Sequence, residues 1–210
     1  MKKYLIFTDL DGTLLDHENY SYGNNKKTIT SIINNKNDVI FNTSKTFSES
    51  INLLKKLNLT NMPFSTENGA LLYFPKNRFK KIKNSSDYGK YWKIRIAKLS
   101  SKNWHQFLLK KQKKFKLLIA QDLPSKILKK YTNLDNTCKM LNREASQIIL
   151  WEDSLVNLKK FKNELKSEKQ GVLIQGSRFM QVSSVCNKRI AKKLISHVYD
   201  HQFYGTYFKN

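Results

Sequence analysis

An α/β protein built on a parallel sheet is predicted by three features of this 210-residue chain. Tyr4-Leu5-Ile6-Phe7 is a short apolar run that Gly12-Thr13 breaks, the pattern of a strand buried on both faces. Ile29, Ile32 and Ile33 follow at helical spacing, and Val39-Ile40-Phe41 is a second apolar run. Strand, helix and strand in that order imply a right-handed crossover and parallel pairing.

The first strand runs into Asp9-Leu10-Asp11-Gly12-Thr13-Leu14, so two carboxylates stand at the carboxyl end of a strand, where open α/β sheets place their ligands. Carboxylates this close ionise together only with a cation between them, and otherwise one stays protonated. The pair therefore suggests a hard metal, acid/base chemistry or both. A turn with acidic caps is the plainer alternative.

Lys26 to Asn35 reads as the first helix. The second strand ends in Asn42-Thr43-Ser44-Lys45-Thr46, which parallel pairing brings beside Asp9, and Thr43 also suits the N-cap of a helix over Phe47–Leu57. In that helix Ile51, Leu54 and Leu57 form the apolar face. Asn61–Ser65 reads as a short third strand, and Asn68-Gly69 before Leu71-Leu72-Tyr73-Phe74 as a hairpin turn.

Tyr91, Trp92, Ile94, Ile96 and Leu99 predict a helix over Tyr88–Leu99, and His105 and Trp104 follow in a polar setting as packing or surface residues. Asp135 can cap a helix through Met140, and Ile148–Trp151 is a strand. Ser154 caps a helix through Lys166 whose Leu155, Leu158, Phe161 and Leu165 form one stripe. Val172–Ile174 and Phe179–Val182 read as a hairpin, with Arg178 at its turn, and a last helix runs from Asn187 to about Tyr199.

The formal charge of +23 raises the question of nucleic acid. Only five of the 39 basic residues are Arg, however, and the lysines are spread along most of the chain beside much Asn and Ile, as on solvated helix faces. Composition thus points away from nucleic acid, and the same field would draw a small anionic substrate. A hydrophobic content of 40% fits a globular protein, and no apolar run is long enough to cross a bilayer. Met1-Lys2-Lys3 leads straight into the first strand without room for a cleaved signal, and Cys138 and Cys186 lack metal-site spacing. A cytoplasmic protein with ordinary thiols is expected.

Taken together, Phe7-Thr8-Asp9-Leu10-Asp11-Gly12-Thr13-Leu14-Leu15-Asp16 with Tyr20, Thr43-Ser44-Lys45-Thr46 and Glu67-Asn68-Gly69-Ala70 resemble the haloacid dehalogenase superfamily, and within it the mannosyl-3-phosphoglycerate phosphatases. Thr132-Asn133-Leu134, the run Arg143 to Trp151 and Gln175-Gly176-Ser177-Arg178-Phe179 are similar to that family's cap. The resemblance covers about residues 3–75 and 130–195, while 76–130 are divergent and Lys-rich. It implies a Rossmann-like parallel sheet core with an inserted α/β cap: core over 1–75, cap over 76–184 and a core return over 185–210.

It also implies a Mg2+-dependent phosphomonoester hydrolase acting on a glycosyl-3-phosphoglycerate, a small anionic phosphorylated sugar, through an aspartyl-phosphate. Asp9 would be nucleophile and Asp11 general acid/base, with Asp9 and the Asp11 backbone carbonyl holding the metal. Thr43, with Ser44 as rival, would bond the phosphoryl group. Lys188, with Lys192 and Lys193 as alternatives, would neutralise its charge. Lys45, Asn68, Arg143 and Arg178 are the expected substrate contacts, Arg178 because a guanidinium fork matches a carboxylate. The resemblance further implies an acidic fourth motif in a later strand; the run Asp200 to Asn210 carries none, which leads us to expect a shortened core and a weakened metal site. A weak or inactive relative, or a sugar-phosphate or nucleic-acid binding module without turnover, is the alternative reading.

Overall fold

The computed structural model describes residues 4–16, 22–132, 137–176 and 179–204. In chain order the elements are β1 (Leu5–Thr8), α1 (Asn25–Asn34), β2 (Asp38–Asn42), α2 (Phe47–Lys56), β3 (Phe64–Thr66), β4 (Leu71–Pro75), β5 (Ser86–Tyr88) and β6 (Tyr91–Arg95). They continue with α3 (Ser101–Lys111), β7 (Leu117–Ile119), α4 (Ser125–Thr132), α5 (Thr137–Leu141), β8 (Ser146–Trp151), α6 (Leu155–Lys169), β9 (Gly171–Gln175), β10 (Met180–Ser184) and α7 (Lys188–Tyr199). The chain divides into two compact units. One comprises Met1–Lys45, Glu49–Ile96 and Asn187–Asn210, and the other Thr46–Ser48 with Ala97–Cys186.

The first unit carries a six-stranded sheet in the order β1-β2-β3-β4-β6-β5. β1, β2 and β3 are parallel, with Thr8 opposite Phe41 and Phe41 opposite Phe64, as the strand–helix–strand pattern predicts. From β3 onward the pairings are antiparallel. Ile40, Leu72 and Phe74 of the sheet pack with Ala191, Ile195, Val198 and Tyr199 of α7, which fixes that helix against the sheet. β2 is buried along its whole length. β1 is instead half-buried, contrary to the expectation of a strand covered on both faces, because it ends the sheet order among the described residues.

A second correction concerns Tyr88–Leu99, where a helix was expected and two strands are found. β5 and β6 pair antiparallel, Tyr88 opposite Tyr91, across Gly89 and Lys90. Gly89 has φ +57, the left-handed conformation that a two-residue hairpin turn requires. Tyr91, Trp92 and Ile94 are the aromatic and β-branched types that suit a pleated surface, and β6 adds to the sheet beside β4. The expected core–cap boundary after residue 75 thus falls inside this unit, which continues to Ile96.

The second unit has an antiparallel sheet, β7-β8-β10-β9. Ile149 and Val182 of the sheet bury against Trp104, Phe107 and Leu108 of α3 and Phe161 and Leu165 of α6. Ser154 caps α6 as expected, its hydroxyl accepting from the Asn157 amide at 3.2 Å. Leu158, Phe161 and Leu165 are buried, but Leu155 is 81% exposed: as the first residue of the helix it lies beyond the sheet that the stripe covers. The expected Asp135 cap lies outside the described residues. Among the described residues no helix is long and apolar enough to cross a membrane.

Candidate active site

The site grows out of the carboxyl ends of two adjacent parallel strands. β1 stops at Thr8, and the loop after it is wound tightly: the Leu14 and Leu15 amides donate to the Leu10 carbonyl at 3.1 and 2.8 Å, and the Gly12 amide returns to the Leu15 carbonyl at 3.0 Å. Leu10, Leu14 and Leu15 are buried, so the apolar positions of the motif act as anchors and leave its carboxylates at the rim. Asn25, opening α1, donates its side-chain amide to the Leu14 carbonyl at 2.8 Å and holds the far end of the loop.

Asp9 is oriented through both oxygens. The Leu10 amide donates to Oδ1 at 2.7 Å, and the Lys188 ammonium lies 2.5 Å from Oδ2. The two side chains retain 39% and 33% of their exposure, so the pair faces solvent and a ligand can reach it. Lys188 opens α7, whose Asn187 N-cap accepts from the Ile190 amide at 2.9 Å. Lys192, one of the two alternatives for this role, lies over the ring of Phe7 at 5.6 Å from its centroid.

Asp11 pairs with Lys45, whose Nζ is 2.8 Å from Oδ1 and 4.0 Å from Glu49 Oε1. That oxygen of Asp11 is itself buried, and although the ammonium is within ion-pairing reach it accepts no aligned hydrogen bond. Lys45, expected to face substrate, is thus held against the second carboxylate of the motif.

Thr43 lies just past β2 and is fully buried; its hydroxyl accepts from the Lys45 amide at 3.1 Å. It does not occupy the N-cap of α2, since that helix begins at Phe47. The loop is pinned from its other side by the turn Glu67-Asn68-Gly69. The Glu67 amide donates to the Lys45 carbonyl at 2.9 Å and the Asn68 amide to the Thr43 carbonyl at 2.9 Å. All three turn residues have positive φ, +50, +59 and +85. A Cβ on Gly69 would meet the Asn187 carbonyl oxygen at 2.5 Å, so only glycine lets this turn sit against the start of α7. Asn68 therefore has a backbone role in shaping the loop, where the sequence suggested substrate contact or a simple hairpin.

One unit thus brings together Asp9, Asp11, Thr43, Lys45, Asn68 and Lys188. Arg143 belongs to the second unit, where it is buried and donates from Nη1 to Ser146 Oγ at 3.2 Å. Arg178 and Tyr20 lie outside the described residues. Two residues that sequence reasoning passed over also shape the site: the Asn42 side chain donates to the Lys188 carbonyl at 2.8 Å, and Ser65 Oγ donates to Asn42 Oδ1 at 2.5 Å. The sequence signal of Asn42 is a polar side chain after the apolar run Val39-Ile40-Phe41, and Ser65 has none.

Two carboxylates, two ammonium groups and a hydroxyl are thus gathered at the end of a parallel sheet. Residues 6–201 match the family model described as haloacid dehalogenase-like hydrolase. A glucosyl-3-phosphoglycerate/mannosyl-3-phosphoglycerate phosphatase of Methanococcoides burtonii is 30% identical over 207 residues, 96% of this chain and 75% of that protein. The chain belongs to the haloacid dehalogenase-like hydrolases and, within them, to the family of that glycosyl-3-phosphoglycerate phosphatase. Among solved structures, a Thermoplasma acidophilum protein superposes with a TM-score of 0.65 at 15% identity, over 95% of this chain and 72% of its own. The sucrose-phosphatase of Synechocystis does so with a TM-score of 0.56 at 13% identity, over 94% of this chain and 70% of its own. These two share the fold.

Proposed function

We propose that this phosphatase hydrolyses the phosphomonoester of a glycosyl-3-phosphoglycerate, mannosyl-3-phosphoglycerate above all, by covalent catalysis on Asp9. The observation that carries the reading is the Lys188–Asp9 pair at 2.5 Å, with the Leu10 amide contact on the other oxygen of the same carboxylate. A carboxylate so held is a nucleophile in position, and the ammonium beside it offsets the charge of an arriving phosphoryl group.

In the first half-reaction an oxygen of Asp9 forms a bond to phosphorus as the bond to the glycerate oxygen breaks. Asp11 gives its proton to that departing oxygen. In the second, Asp11 takes a proton from water, whose oxygen attacks the same phosphorus, and the acyl-phosphate bond breaks to return Asp9 and inorganic phosphate. Lys188 and the Thr43 hydroxyl hold the phosphoryl oxygens. Lys45 keeps Asp11 in place and carries positive charge at the mouth of the site.

Mg2+ fits this donor set. The Asp9 carboxylate, open to solvent, and the Asp11 backbone carbonyl would hold it with hard oxygens and leave the Asp11 carboxyl to its acid/base role, while no cluster of three or more His, Cys, Asp or Glu side chains is placed to hold a metal among the described residues. Magnesium commonly binds through one or two carboxylates with water and substrate phosphate completing its shell. When bound by Asp9 and Asp11 it supplies neutralisation of phosphoryl charge.

Arg178, with Arg143 as the weaker candidate, would pair with the carboxylate of the glycerate. The test is Mg2+-dependent phosphate release from mannosyl- and glucosyl-3-phosphoglycerate. Saturable release that Asp9→Asn abolishes is the expected result. Saturable binding without release would overturn the reading in favour of a module without turnover, and neither binding nor release would mark an inactive relative.

A further inference from the structure

We propose that Asn42 is the positioning residue of Lys188, setting the aim of its ammonium on Asp9 from the last position of β2, with Ser65 as the group that holds Asn42. This deepens the functional reading above and rests on it for the catalytic role of Lys188.

Asn42 closes a strand whose Val39, Ile40 and Phe41 are buried apolar residues, and it is itself buried, with 7% of its surface exposed. Asn is among the residues strands disfavour, and a buried amide is costly unless its atoms are partnered. Here both ends are used. The Lys188 carbonyl can only accept, so the group 2.8 Å from it must be the Asn42 NH2, which leaves Oδ1 to accept from Ser65 Oγ at 2.5 Å. Ser65 is fully buried in β3, one residue before the strand ends. A hydrogen-bonded line thus runs from β3 through β2 to the first residue of α7.

That first residue is Lys188. A lysine ammonium sits on four rotatable carbons, and its position is defined only if the main chain beneath it is fixed. Three contacts fix it here: the Asn187 cap on the Ile190 amide, the close seat of Gly69 on the Asn187 carbonyl, and the Asn42 amide on the Lys188 carbonyl itself. The first two hold the residue before Lys188. Asn42 alone of the three grips Lys188, and it does so from the same strand end that delivers Thr43. Sheet and helix are thereby locked in one register at the point where Asp9, Thr43 and Lys188 converge.

The test is a double-mutant cycle on phosphate release with Asn42→Asp, which keeps the volume and the acceptor for Ser65 but turns an oxygen toward the Lys188 carbonyl. Its kcat should fall about tenfold with KM nearly unchanged, and this loss should vanish in a Lys188→Ala background. Ser65→Ala should give a smaller loss of the same kind. An equal loss in both backgrounds, or a rise in KM alone, would overturn the proposal. Asn42→Ala carries the same cycle if the Asp variant does not fold. A crystal structure of the Asn42 variant gives a readout independent of turnover: Lys188 Nζ should leave Asp9 Oδ2, and retention of the native contact would refute the positioning role. Failure of the native protein to release phosphate would sink the functional reading while leaving this distance to decide the inference.

Discussion

Lysine–carboxylate pairs occur in both units, and they do different things. In the first unit Lys188 meets Asp9 and Lys45 meets Asp11 at the ends of parallel strands, each lysine on a segment pinned by backbone hydrogen bonds. In the second, Lys111 of α3 reaches Glu164 at 2.6 Å and Glu168 at 2.5 Å on α6, and Lys114 joins Glu164. Hydrogen bonds from Lys111 and Lys114 hold the Glu164 carboxyl below the usual range, while Lys111, although burial opposes its charge, is raised by the hydrogen bonds it donates to Glu164 and Glu168. That second group joins two helices over an apolar core, whereas the first sets its two pairs at the ends of neighbouring parallel strands, with Lys188 and Asp9 both open to solvent. Position in the fold, not the number of charges, separates a site from a clasp.

Crossing the two lysines should break this distinction if it is false. Lys188→Ala is expected to lower kcat about a hundredfold or more while leaving the melting temperature close to native. Gly69→Ala should cost about 2 kcal/mol in urea denaturation, because a methyl group cannot be placed against the Asn187 carbonyl at φ +85 without moving the turn or α7. Lys111→Ala should cost about 1 kcal/mol or less and leave phosphate release unchanged. Loss of turnover in Lys111→Ala equal to that in Lys188→Ala would erase the contrast.

The smallest effect is on pH dependence. A carboxyl with a depressed folded value contributes stability in full above its unfolded value, ordinarily 4.5 for Glu, and loses it as pH falls through the folded value. Asp153, held low by the Lys116 amide, the Asn157 side chain and the Ser154 amide, acts in the same direction. The urea midpoint should therefore fall as pH drops below the ordinary glutamate range, and less so in Glu164→Gln. An equal slope in the two proteins would remove Glu164 from the account.

Much of this was legible in the chain. The apolar run before Asp9 and the strand–helix–strand order place two carboxylates and Thr43 at neighbouring strand ends, while Lys188, with Lys192 and Lys193 as alternatives, is suggested among many lysines only by the family resemblance. Tyr88–Leu99 misled because its apolar residues satisfy helical spacing, while Gly89 and the pairing with β4 decide for strands; long-range pairing is not visible locally. Leu155 fits the stripe of its helix by period, yet a helix end can overhang what it packs on. The contacts of Lys45 with Asp11 and of the Asn68 amide with the Thr43 carbonyl follow from turns whose positive φ values no single residue announces. Asn42 and Ser65 carried no motif at all, and only the fold brings them to Lys188.

The central claim is that Asp9 takes the phosphoryl group. The most direct measurement is acid quench of the native protein with Mg2+ and labelled mannosyl-3-phosphoglycerate, followed by peptide mass spectrometry. The account predicts a phosphoryl group on Asp9 that turns over with the rate of phosphate release and is absent from Asp9→Asn. Phosphate release without label on Asp9, or release undiminished in Asp9→Asn, would contradict it.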